Sequence, residues 1–194
     1  MATHATNNVP GHSVSVRAQL ERTAAIGAVA GVGAALVMAM YAMIAAATYQ
    51  NSGFFTPLYH IASSLTSPDA MMASMERAMS GSYFYFTPGP AVVGVVIHMM
   101  VGAAYGAILA LIARLTRLHG AWLIAAGAAY GLIVFAVSTW MGLPLAAAIF
   151  SGGDPISNMA SMVGYPTFIV EHVLFGLAAA TILLPVASRD WNRS

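Results

Sequence analysis

Polar and apolar positions along this chain fall into long blocks rather than short alternations. No Asp, Glu, Lys or Arg occurs between Arg22 and Asp69, and residues 24–49 are almost wholly apolar. At 1.5 Å per residue this block makes a helix of about 39 Å, enough to cross a bilayer with some tilt. Three further blocks, 90–113, 121–150 and 166–187, are each about 20 residues or longer and meet the same criterion. The pattern predicts an all-α polytopic membrane protein, a four-transmembrane-helix bundle over residues 21–188. A polar, disordered cytoplasmic tail (1–20) precedes it and a short cytoplasmic tail (189–194) follows. The first block competes with a signal-peptide reading, since Arg17 and Arg22 precede it and Ala45 and Ala47 could mimic a cleavage site. Its apolar run is about twice the usual length for such a peptide, so it is read as a span.

Composition strengthens the membrane reading: 59% of residues are hydrophobic and 7% charged. Average soluble domains carry about 25% charged residues. The chain has no lysine, so arginine alone sets the orientation. Arg17, Arg22, Arg114, Arg117, Arg189 and Arg193 fall on one side of the four blocks and Arg77 on the other, which predicts both termini in the cytoplasm. Tyr83, Phe84, Tyr85 and Phe86 at one outer boundary, with Tyr165 at the other, fit an interfacial aromatic belt. A net charge of +1 gives no basic field for nucleic acid. The absence of cysteine excludes disulfides and thiolate chemistry.

The chain reads as a hairpin written twice. Sliding it by 100 residues matches Gly27-Ala28-Val29-Ala30-Gly31 with Gly127-Ala128-Ala129-Tyr130-Gly131, and His98-Gly102-Gly106 corresponds to His172-Gly176-Ala180. Both repeats begin on the cytoplasmic side, so they are expected to be parallel, related by an axis along the membrane normal. Ser67-Pro68 and Asp154-Pro155 each read as an N-cap followed by proline at the first helical position, predicting short outer-face loop helices. Gly27, Gly31, Gly102, Gly106, Gly127, Gly131 and Gly176 are the expected helix-packing positions, where the lack of a side chain lets backbones approach.

Residues i and i+4 share a helix face, so His98 and His172 lie on the stripes of Gly102 and Gly176 and are expected to face neighbouring helices. Glu171 is the carboxylate inside a span. It precedes His172, and adjacent helical residues diverge by about 100°, so the pair is not expected to address one point. An ionisable group inside a span marks a functional site. His98 and His172 are candidate cofactor-binding residues, able to ligate a transition metal or haem iron, with Glu171 and His60 as further metal ligands or second-shell acceptors. Met71, Met72, Met75 and Met79, with Met99 and Met100 beside His98, would suit copper(I), but methionine at positions 71, 75 and 79 is more often an apolar stripe on a membrane surface or on the bundle. A proton- or cation-coupled carrier is the alternative, with Pro144 expected to kink the third span and free the Trp140 carbonyl. A purely structural subunit with hydrogen-bonded histidines is the third reading. No nucleophile elbow, phosphate-binding loop or paired catalytic carboxylate points to an enzyme. Four helices leave little private volume, so the expected partners besides the lipid bilayer are a second copy of the chain or a larger membrane complex.

On Gly27-Ala28-Val29-Ala30-Gly31, His98-Met99-Met100-Val101-Gly102-Ala103-Ala104-Tyr105-Gly106 and Glu171-His172-Val173-Leu174-Phe175-Gly176, the chain resembles uncharacterised four-helix bacterial inner-membrane proteins of the YagU-like kind. The likeness covers most of residues 20–187. It implies topology, a bacterial cytoplasmic membrane and the recurring histidines; no reaction comes with it. Ala180 departs from the fuller His-x3-Gly-x3-Gly form.

Overall fold

The structure is a computed structural model and describes residues 11–190. Helix α1 covers Gly11–Thr48. Two short helices, α2 (Thr56–Ala62) and α3 (Asp69–Met79), lead to the long α4 (Pro88–Leu115). Helix α5 (Gly120–Val137) passes through a π-helical turn (Ser138–Gly142) into α6 (Leu143–Phe150). Short α7 (Gly153–Ser157) and α8 (Met159–Val163) precede the long α9 (Tyr165–Asp190). There is no strand among the described residues.

Four stretches are long and apolar enough to cross a membrane: Val16–Thr48, Pro88–Leu115, Gly120–Phe150 and Tyr165–Arg189. The first helix starts earlier than its apolar block. Residues 11–20, expected as disordered tail, are helical, because Arg17, Gln19 and Glu21 are good helix formers and the Arg17 guanidinium meets the Glu21 carboxylate one turn on at 2.8 Å. Residues 1–10 and 191–194 of the expected tails lie outside the described residues.

Two close helix pairs form the bundle: α1 lies along α4, and α5 along α9, with α1 also running beside α9. Small side chains set the spacing. A Cβ placed on Gly31 would fall on the carbonyl of Gly102, and one on Gly131 on the carbonyl of His172. Backbone thus meets backbone, which is how helices gain packing in lipid, where hydrophobic burial offers little drive. The main core is rich in alanine, with Ala34, Ala35, Ala110, Ala179, Ala180 and Ala187 buried around Leu109, Leu123 and Leu183.

Helix α3 begins at Asp69, one residue later than Ser67-Pro68 predicts, yet the Ser67 hydroxyl still accepts from the Asp69 N–H at 3.4 Å. Helix α7 begins at Gly153, so Asp154 sits inside the first turn rather than capping it. Its carbonyl accepts from the Asn158 N–H at 2.9 Å, and α7 has no side-chain cap. The expected break at Pro144 takes the form of the π-turn. Proline has no N–H to give the Trp140 carbonyl, and the preceding Leu143 N–H reaches back five residues to Ser138.

Candidate functional site

Between the two helix pairs lies a cavity of about 330 Å³. Helices α4 and α5 touch little, and the space between them is lined from four sides by α1, α4, the π-turn and α9. Helix α2 covers it with Leu58, His60 and Ile61, and α7 and α8 with Ile156, Met159 and Val163. At the other end the Tyr130 hydroxyl donates to the Tyr105 carbonyl at 2.8 Å, tying α5 to α4, and the Tyr105 and Ser138 hydroxyls meet at 3.4 Å.

All four histidine and glutamate positions expected from the sequence line this one cavity. The His98 Nε2–H donates to the Ala35 carbonyl at 3.0 Å, pinning α4 to α1. The His172 Nδ1–H donates to the Phe168 carbonyl one turn back at 2.7 Å, with the Phe168 ring 4.5 Å and the Phe135 ring 6.0 Å away. The His60 Nε2–H donates to the Pro155 carbonyl at 2.6 Å, joining the roof helices α2 and α7. A carbonyl can only accept, so each of these nitrogens carries the proton. The neutral ring then keeps a lone pair on its other nitrogen, Nδ1 of His98 and His60 and Nε2 of His172.

Glu171 lies deepest in role. Its side chain is buried, at 5% exposure, lines the cavity, and makes no hydrogen bond or ion pair among the described residues. Glu171 and His172 do not converge on one point with a third ligand, yet both line the cavity. Helix α9 sits between α1 and α5, and the cavity spans the arc between them, so side chains about 100° apart both reach it. One turn before Glu171 on the same face, the Thr167 hydroxyl meets that of Tyr49 at 3.2 Å, and Tyr49 meets Tyr41 at 3.1 Å.

These side chains do not gather as metal ligands: among the described residues no three of His, Asp or Glu are close enough to hold an ion. The methionines of α3 do not converge either. Met71 and Met75 pack on the cluster around Tyr59, while Met72 and Met79 are exposed. The π-turn itself is not legible in the sequence. It puts Ser138 and Gly142 on the cavity wall, and the Thr139 hydroxyl beside them, a candidate partner for the histidines, is buried with no partner among the described residues. Only the proline at 144 hints at that.

His60 lies outside the spans, and burial holds its imidazole below the usual histidine range although the bond to Pro155 opposes this. Below about pH 6.5 the unfolded chain therefore takes up a proton that the folded chain refuses, and stability falls as pH drops. Acidification from about pH 7.5 to about pH 5 should lower the unfolding temperature of the detergent-purified protein. His60→Gln, which keeps an N–H for Pro155, should flatten that dependence; an unchanged slope would show that the roof histidine does not contribute.

No protein-family model, curated protein or solved structure matches this chain.

Proposed function

We propose that this is a four-span protein of the bacterial inner membrane, both termini cytoplasmic, whose central cavity binds a proton or a cation. Glu171 is its anionic anchor, and His98 and His172 supply neutral acceptor nitrogens. The observation that carries this reading is the Glu171 carboxyl, buried and unpartnered on the cavity wall. An ionised carboxylate in such surroundings is costly unless a counter-charge joins it, so the site is completed by a proton or a cation. The lining contains no Lys or Arg that could do so from within the chain. The hydroxyls of Tyr41, Tyr49 and Thr167, with Tyr49 exposed, form a polar path leading from the α9 face of Glu171 toward the surface.

The two-hairpin repeat supports this centre. A shift of 100 residues carries the buried positions 23, 27, 30, 31, 34 and 35 of α1 onto buried positions of α5. A shift of 74 carries buried positions 94, 102, 106, 109 and 113 of α4 onto buried positions of α9. Under the same shift Ile97, His98 and Val101 become Glu171, His172 and Phe175, and all six line the cavity. The halves differ in one charge and in register: Gly102 meets Gly31, whereas Gly176 meets Gly127, one turn away from the equivalent contact.

The test is labelling with dicyclohexylcarbodiimide, an apolar reagent that reaches protonated carboxyls from lipid. In liposomes at neutral pH it should modify one site per chain, mapped by peptide mass to Glu171, and Glu171→Gln should abolish it. Labelling that persists in that variant, or none in the native chain, overturns the proposal.

A further inference from the structure

We propose that the ligand of this cavity is an amphiphilic amine, an apolar body with a protonated nitrogen, which enters sideways from the bilayer between α4 and the π-turn. The inference rests on the cation-binding reading above and names its ligand class.

Three observations lead there. The volume of about 330 Å³ lies within the range of small-molecule sites, which are mostly apolar with a few placed polar groups. Here the apolar part includes Met38, Ile97, Leu143, Phe168 and Phe175. The polar part carries one acidic group and no Lys or Arg. Glu171 and the free lone pairs of His98 and His172 accept hydrogen bonds, while one amide N–H of Gln50 goes to the Val163 carbonyl at 2.7 Å, the Ser64 hydroxyl to the Ile61 carbonyl at 2.8 Å, and the Tyr105 and Ser138 hydroxyls meet each other at 3.4 Å. A head that donates hydrogen bonds and carries positive charge matches this set; a carboxylate or phosphate head does not.

The third observation is the opening. Val101 on α4 and Gly142 on the π-turn both line the cavity, yet both are exposed on the flank of the bundle. These two helices lie mid-span, so the surface they share faces acyl chains, and a ligand can pass without crossing the roof. Apolar contact alone gives no selectivity there, since lipid tails are as apolar as the walls. Selection falls to the charged head at Glu171.

The experiment uses the full chain in nanodiscs of neutral phosphatidylcholine, with decylamine as the probe and the unfolding temperature as the readout. At pH 7.5 the amine is protonated, as a lysine side chain would be. Decylamine should raise the unfolding temperature with saturation, and decanol and ethylamine should not. Glu171→Gln should weaken the decylamine effect at least tenfold in midpoint concentration. Val101→Trp, at an exposed position that leaves the fold intact, should do the same by closing the gap. An equal response to decanol, or an unaltered response in Glu171→Gln, would mean that the cavity merely holds an acyl chain and would overturn the proposal. Ethylamine matching decylamine would also overturn it while leaving the cation site standing, and carbodiimide labelling at Glu171 separates the two cases.

Discussion

Gly31→Val should prevent α1 from seating on α4, with a loss of about 3 kcal/mol or more in the stability of the detergent-purified protein. A Cβ there meets the Gly102 carbonyl and the Gly106 Cα, so no side-chain rotation can relieve the overlap. The helices must separate, and His98 then loses the Ala35 carbonyl across the same interface. Gly89→Ala is the control. Apart from its chain neighbours nothing lies within 4 Å of a Cβ at Gly89, in the first turn of α4, and the added methyl should change stability by less than about 1 kcal/mol, since the following Pro90 opposes the gain in helix propensity. Unfolding of both variants by graded sodium dodecyl sulfate, followed by circular dichroism, gives the comparison. Equal stabilities would mean that the glycine seam does not set the interface.

The second large effect has the opposite sign. Glu171→Leu should make the protein more stable, by about 1–3 kcal/mol, while ending carbodiimide labelling. The native carboxyl lies in a side chain that is 5% exposed and lines the apolar cavity with no hydrogen-bond partner among the described residues, so the protein itself offsets little of its desolvation. An apolar side chain of similar size removes that cost and fills the same wall. Sites that exist to bind something commonly trade stability for function in this way. A destabilised leucine variant would instead make Glu171 a structural group, and the binding proposal would lose its anchor.

The spans were legible because lipid demands long apolar helices, and length with hydropathy reports that directly. The inward direction of His98 and His172 was legible from their spacing to Gly102 and Gly176, since small residues mark the close-packed face. What lay between the helices was not legible. A cavity is a mismatch between faces that fail to meet, here α4 and α5, and no local pattern records it. Glu171 is legible as a candidate because it is a carboxylate inside a span; that it and His172 reach one space despite diverging on α9 is not, because the divergence rule speaks to a point-like site and this one is wide. His60 was recognised as a candidate, but its bond to Pro155, 95 positions along the chain, depends on how two roof segments fold over each other.

The π-turn carries one residue more than an α-helical turn, so it works as a phase shift in the third span. Everything from Leu143 onward is rotated by about 100° relative to an uninterrupted helix. Removing one residue from 138–142 would restore the α-helical phase, apart from the one bond that the proline cannot make. Ala146 and Leu143, which line the cavity, would then swing off its inner wall. The orientation of this wall is in this sense written as a single surplus residue.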